Sequence, residues 1–349
     1  MSIATCVLGT PGQDNLLRVT VNAGTRQHRL QFDCGDRCLH VLSRSELKKT
    51  EALYLSHLHM DHIGGFDALF RMLFDRPGAP MRVYGPPGTA DILHHRFRGY
   101  WWNQASGMPG EWIVHDVHPH EIRAWRFRTS DAYASRVALP VRPHDGRITA
   151  HRHFTVRAVL LSHGGASLGY RVDEAVRVNV VPDILHELGR APGPWLGAWK
   201  ARVGVGQDGV PARTDRRDDV QGRTIDEALA AGLFEAAPRD ACAYLTDFRL
   251  DETTHALLVP WLAGVDTLVC ESQYAPSDTE LARRNSHTTI DRVARLAHEA
   301  NVGELVPFHL SERYETHEWV AMLAAAQAIF PASRWPASWS ARALERSGA

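Results

Sequence analysis

The sequence predicts a layered α/β fold, and three observations predict it. The first third is a run of short strands broken by turns, and the last third alternates strands with helices. The residues with the strongest ligand chemistry fall directly after apolar runs, where sheets of this kind present their functional groups. Composition agrees with this class. The chain has 349 residues, 44% of them hydrophobic and 23% charged, which excludes disorder, collagen and coiled coil as overall descriptions. A net charge of −1 argues against a generally basic nucleic-acid binder and leaves room for a local basic groove. Two biases stand out: 20 histidines, and 36 arginines against three lysines, Lys48, Lys49 and Lys200.

In chain order, residues 3–8, 16–21 and 29–32 read as strands, punctuated by Thr10-Pro11-Gly12 and Ala23-Gly24. Residues 52–56 form another apolar run that ends in His57. Gly64-Gly65 then opens a stretch with Phe66, Leu69, Phe70 and Leu73 at helical spacing. A strand at 81–84 stops at Gly85-Pro86-Pro87, and a helix follows over 89–97. From about 98 to 152 the pattern loosens around Tyr100-Trp101-Trp102 and His115, His118 and His120, with a strand expected at 122–127, and this stretch reads as an insertion whose aromatics pack. Strands at 154–161 and 168–172 make a hairpin about Gly164-Gly165. A Pro/Gly/Arg-rich interval follows from 181 to about 222, long enough to be a functional loop or arm. Strands at 241–245, 267–270 and 304–308 then alternate with helices at 253–262, 288–300 and 315–329.

The first residues lack a basic segment followed by an apolar core, and no run of 18 apolar residues occurs, so neither a secretory signal nor a membrane span is expected. Five cysteines form no zinc knuckle; Cys6, Cys242 and Cys270 sit in apolar runs and read as small core residues. These features point to a reducing cytoplasm.

The decisive run is Ser56-His57-Leu58-His59-Met60-Asp61-His62-Ile63-Gly64-Gly65, with four ligand-type side chains inside six residues. Residues two apart on extended backbone face the same way, so His57 and His59 can share one ion, while Asp61 and His62 turn toward a second. Imidazole with carboxylate suits zinc or manganese. His163, Asp247 and His309 each close an apolar run and complete the set. One ion takes His57, His59 and His163; the other takes Asp61, His62 and His309; Asp247 bridges them. Two ions around one hydroxide make a nucleophile suited to in-line phosphoryl displacement, so Asp61 counts as a catalytic residue as well as a ligand.

With these motifs in place, the chain resembles the ribonuclease Z family of metallo-β-lactamase-fold hydrolases, the tRNA 3′-end endonucleases. Leu8-Gly9-Thr10, Asp33-Cys34-Gly35 and the SHLHMDHIGG run match its opening strands and metal motif, and Ser162-His163 and Ser167-Leu168-Gly169-Tyr170-Arg171 its next. Thr246-Asp247-Phe248-Arg249, Cys270-Glu271-Ser272, Asn285-Ser286-His287-Thr288-Thr289 and Phe308-His309-Leu310-Ser311-Glu312-Arg313-Tyr314 follow in the family's order. The resemblance implies a four-layer αββα sandwich over residues 1–349, with a protruding arm and its return segment at about 174–222. It implies two Zn²⁺ ions per subunit (Mn²⁺ as the alternative), a homodimer without membrane attachment, and a tRNA-precursor or other phosphodiester substrate. Pro192-Gly193-Pro194 matches the arm and Arg313 the final motif, so these four are the expected substrate contacts. Glu271 and His287 form a carboxylate–imidazole pair able to protonate the departing ribose oxygen, and Asp33 reads as a support beneath the metals. If the substrate is RNA, the positive field must come from a few arginines, with Arg202, Arg249, Arg283, Arg284 and Arg313 as candidates.

The chain departs from the family pattern at Pro11-Gly12-Gln13-Asp14-Asn15, which is shortened, at Thr246-Asp247-Phe248-Arg249, usually Gly-Asp-Thr-Arg, and over 98–152. The alternatives are a related hydrolase of a small phosphodiester or sulfate ester, and a non-catalytic RNA-binding protein.

Overall fold

A computed structural model describes residues 2–189, 191–205, 210–214, 225–237 and 239–339. The first sheet begins as an antiparallel meander of β1 (Ser2–Gly9), β2 (Asn15–Ala23) and β3 (Arg26–Phe32). β4 (Thr50–Tyr54), β5 (Met81–Gly85) and β6 (Glu111–Val117) add in parallel. β7 (Glu121–Arg128) returns antiparallel, and the two-residue β8 (Val137–Ala138) and β9 (Arg142–Pro143) pair with it.

The chain then crosses to a second sheet. It starts with β10 (Arg147–His151) and β11 (Phe154–Ser162), which are antiparallel, and β12 (Ala166–Glu174) turns back from β11. Four short strands intervene: β13 (Val178–Val180), β14 (Val203–Val205), β15 (Pro211–Arg213) and β16 (Phe234–Ala236). β17 (Ala241–Leu245), β18 (Thr267–Glu271) and β19 (Glu304–Phe308) complete the sheet in the order β10-β11-β12-β17-β18-β19.

Alternation along the strands builds the layers. Leu17, Val19 and Val21 of β2, Leu30 and Phe32 of β3, and Tyr54 of β4 share one buried cluster with Val156, Tyr170 and Tyr244 of the second sheet. The opposite parity (Leu16, Leu53 and Leu55) joins Phe66, Phe70, Leu93 and Phe97, from the helices Phe66–Leu73 and Thr89–Arg98. Helices Ile290–Glu299 and Thr316–Ile329 cover the outer face of the second sheet through Val293, Leu296, Trp319 and Met322. Each such fully buried side chain contributes about 1.5–3 kcal/mol. The result is the expected αββα sandwich. Phe32, Tyr54 and Tyr84 stack between the sheets with ring centroids 4.9 and 5.0 Å apart.

The 98–152 stretch, expected as an insertion, is built into the sheets: β6 to β9 continue the first and β10 opens the second. Its pattern looks loose because β6 and β7 leave alternate residues half-exposed and pair only with neighbours in this same stretch and with β5. The chain also divides into two compact units, Met1–Asp173 with Ala241–Ala349, and Glu174–Asp240. The second unit thus runs past the expected end near 222, because β16 closes it by pairing with β13. It has its own small core of Val178, Leu185, Trp199, Ile225, Leu233 and Phe234. Of the expected arm, residues 190, 206–209 and 215–222 lie outside the described residues. Finally, Cys6 is exposed on β1, while Cys34, Cys38, Cys242 and Cys270 are buried; all five are free thiols.

Candidate metal centre

Strand direction places the site. β17, β18 and β19 are parallel, β12 is antiparallel to β17, and β11 is the hairpin partner of β12, so β11, β17, β18 and β19 all end at one edge. That edge carries His163, Asp247, Glu271 and His309. The parallel β3 and β4 of the first sheet end at Asp33 and the Ser56–His62 loop. The two edges are tied together where Leu168 N–H donates to the Ser56 carbonyl (2.8 Å) and the Tyr170 hydroxyl donates to that of Leu55 (2.6 Å).

The seven expected ligands converge. One ligand atom each from His57, His59, His163 and Asp247 lie within 4.8 Å of one another, and so do those of Asp61, His62, Asp247 and His309. Asp247 is common to both groups. Its Oδ2 lies 3.5 Å from His57 Nε2, 3.3 Å from His62 Nε2 and 3.6 Å from His163 Nε2, while Oδ1 lies 3.4 Å from His309 Nε2. Asp61 Oδ2 is 3.2 Å from His62 Nε2 and 3.6 Å from His309 Nε2.

The imidazoles are oriented from behind. Asp33, fully buried, accepts from Ser56 N–H (2.6 Å), the Ser56 hydroxyl (2.7 Å), His62 Nδ1 (2.8 Å) and the Tyr244 hydroxyl (2.9 Å). A carboxylate only accepts, so His62 carries its proton on Nδ1 and turns the Nε2 lone pair into the centre. The Ser56 hydroxyl proton is committed to Asp33, so its oxygen accepts from His57 Nδ1 at 3.1 Å. His163 Nδ1 donates to the Ser286 carbonyl at 2.9 Å. Three rings therefore present the tautomer that a metal needs. Tyr244 and the Ser286 carbonyl carried no signal in the sequence: the first stands in an apolar strand, and the second acts through its backbone.

Donor chemistry and electrostatics both fit divalent ions. His57 Nε2 and His62 Nε2 are buried and form no hydrogen bond. Burial, with His62 adding to it, pushes the His57 pKa down to about 3 and keeps that lone pair free. Burial also opposes charge on His62, but Asp247 and Asp33 outweigh it and raise its pKa. For Asp247 burial is outweighed by His309 and His62, which hold its carboxyl well below the usual range. The centre thus demands positive charge, as a carboxylate–imidazole metal site does. His59 is exposed and Asp61 half-exposed, leaving one side open. Asp33, Asp247 and His309 have backbone φ of 59°, 49° and 55°, the left-handed region, which turns each chain sharply as it leaves its strand.

Glu271 and His287 adjoin this centre. Glu271 is fully buried; one oxygen accepts from Phe248 N–H (2.7 Å) and the other from His287 Nδ1 (2.8 Å). Burial works against the imidazolium of His287, but Glu271 outweighs it and the pKa rises. Atoms of Asp247, Glu271, His287 and His309 also fall within 4.8 Å of one another.

Pro192, Gly193 and Pro194 belong to the second unit, where Gly193 precedes the helix Pro194–Lys200 and both prolines are exposed. Arg313 is exposed beyond β19 and makes no ion pair with a described residue, nor does Arg284. Arg249 and Arg283 are partly neutralised by Asp251 (3.7 Å) and Glu280 (3.0 Å).

Comparison with known proteins places this arrangement. A family model described as "Anti-Pycsar protein Apyc1" matches residues 13–120 alone, a segment that ends before His163, Asp247 and His309. A "Ribonuclease Z" of Deinococcus radiodurans is 45% identical over 97% of this chain and 98% of its own length. A "Ribonuclease Z" of Enterococcus faecalis is 27% identical over 86% of this chain and 82% of its own. Among solved structures, the metallo-β-lactamase fold protein YhfI of Bacillus subtilis superposes with a TM-score of 0.55 at 15% identity, covering 96% of both chains.

Proposed function

The chain belongs to the ribonuclease Z family of hydrolytic endoribonucleases, and from that premise we propose that it cuts tRNA precursors at their 3′ ends, using two metal ions held at the seven-residue centre. One observation carries the reading: two ligand groups share the Asp247 carboxylate, and the Glu271–His287 pair adjoins that same carboxylate.

His57, His59 and His163 would hold one ion, Asp61, His62 and His309 the other, with Asp247 between them. Zinc suits this donor set, and manganese is the alternative. When bound, such ions polarise phosphoryl oxygens and acidify water. The chain's own residues do the rest. Asp33, Ser56 and the Ser286 carbonyl fix ring orientation, so the ligands need no reorganisation during the reaction. His287, held by Glu271, keeps a proton for the departing ribose oxygen, which is the poorest leaving group in the reaction. Exposed Arg313 and Arg284 are the nearest supply of phosphate-binding charge in sequence to His309 and His287. Pro192, Gly193 and Pro194 belong to a unit that offers tRNA a separate contact. The reading extends to a cytoplasmic homodimer, which sedimentation equilibrium tests directly; free thiols throughout suit a reducing compartment.

The discriminating experiment incubates the zinc-loaded protein with a 3′-extended tRNA precursor and, in parallel, a small bis-aryl phosphodiester. Cleavage of the precursor at the discriminator base supports the reading. Turnover of the small diester alone replaces tRNA with a small ester as substrate.

A further inference from the structure

Three further histidines meet in a group that shares no residue with the centre. His28 is on β3 with the parity of Leu30 and Phe32, so it faces the second sheet, and its side chain is fully buried. His151 and His153 flank Arg152 in the tight turn where β10 passes into β11, with His151 paired to Phe154. Ring centroids of His28 lie 4.5 Å from His151 and 5.0 Å from His153, and those two are 5.1 Å apart. One ring nitrogen from each of the three lies within 4.8 Å of the others.

Glu51 sets the protonation of the cluster. Its carboxylate is 3.0 Å from His28 Nδ1. A carboxylate cannot donate, so His28 is protonated on Nδ1 and its Nε2 lone pair points at His153 Nδ1, 2.7 Å away. A carboxylate on the far nitrogen of a buried imidazole fixes the tautomer and raises the basicity of the other nitrogen, as in zinc sites. His28 also replaces the apolar residue that the alternation of β3 would place there, and the buried polar ring needs partners to offset its desolvation. His151 and His153 are half-exposed, and His151 borders a cavity of about 730 Å³, so a fourth ligand has room to enter.

We propose that His28, His151 and His153 form an additional Zn²⁺ site, with Glu51 as the orienting carboxylate and water as the fourth ligand. Three imidazoles and water are an established zinc donor set. The ion would tie the start of β3 in the first sheet to the β10–β11 turn of the second, closing the sandwich at the edge away from the strand ends that carry the centre. Binding the folded state alone, it would stabilise by mass action.

The test strips the full chain with a chelator, reloads it with Zn²⁺, removes unbound metal and counts zinc by elemental analysis. His151→Ala and His153→Ala, both at half-exposed positions, should each hold one zinc fewer per chain than the wild type, and zinc should raise their melting temperature less. Equal zinc content in wild type and both variants overturns the site and leaves a hydrogen-bonded histidine chain. A second measurement needs no variant: in long-range ¹H–¹⁵N spectra of the wild type, zinc must shift the ring nitrogens of His28, His151 and His153. Rings unmoved by zinc overturn the proposal equally.

Discussion

Asp33 shows how much one side chain can organise. Four donors from three residues, two in the metal loop and one on β17, end on its carboxylate. Asp33→Asn keeps the shape but turns an NH₂ group toward those donors, so His62 loses its fixed tautomer. Metal affinity should fall about 10- to 100-fold, measured by competition with a chromophoric chelator. His287 makes a complementary case. His287→Ala should lower turnover by roughly 10²–10⁴-fold while zinc content stays unchanged. Glu271 raises the pKa of His287 against the effect of burial, and the protonated ring is the active form, so activity declines as pH rises through that pKa. Glu271→Gln removes the charge, lowers the pKa, and should move the alkaline limb of the pH–rate profile to lower pH. An unmoved limb would assign the proton to another group. The histidines and aspartates themselves were legible because His163, Asp247 and His309, each closing an apolar run, complete the ligand set opened by the His57–His62 run. Of their supports Asp33 was legible and Tyr244 was not, because Tyr244 reads as strand core until Asp33 is brought beneath it.

At the scale of elements, the metal loop depends on two backbones in contact. Cys34 N–H donates to the His62 carbonyl (2.7 Å) and Gly65 N–H to the Cys34 carbonyl (2.8 Å). A Cβ on Gly65 would lie 2.4 Å from the Gly35 carbonyl oxygen, which is backbone and cannot swing away. Gly65→Ala should therefore cost about 1–3 kcal/mol of stability, the usual range for overpacking, and weaken zinc loading, as thermal unfolding with and without zinc would show. The Gly-Gly pair was readable as a helix opening, but this closeness was not, since it depends on a loop 30 residues earlier. Within 98–152 only the strand at 122–127, which is β7, was legible; the half-exposed faces of β6 and β7 blur the alternation by which strands are recognised.

For the whole molecule, the informative feature is where the chain leaves the larger unit and re-enters it. β12 and β17 are antiparallel neighbours with Asp173 opposite Ala241, and Glu174 N–H donates to the Asp240 carbonyl at 3.0 Å. The chain leaves and re-enters at adjacent points, so residues 176–238 can be replaced by a short Asn-Gly turn. The shortened chain should fold and keep its small-phosphodiester turnover. Its tRNA-precursor binding should weaken about tenfold or more, roughly 1.4 kcal/mol, by filter binding at fixed salt. Unchanged precursor binding would remove the unit from substrate recognition.

The left-handed backbone at Asp33, Asp247 and His309 sets chemistry against durability. Each side chain holds a conformation that glycine or asparagine adopts more easily, at a cost of order 1–3 kcal/mol. Directed evolution toward heat resistance alone, blind to hydrolysis, should drift toward glycine or asparagine at Asp247 and His309, while the four donors on Asp33 hold that residue in place. It would yield a tougher sandwich with an idle edge, so the strain at these positions serves the reaction and not the fold.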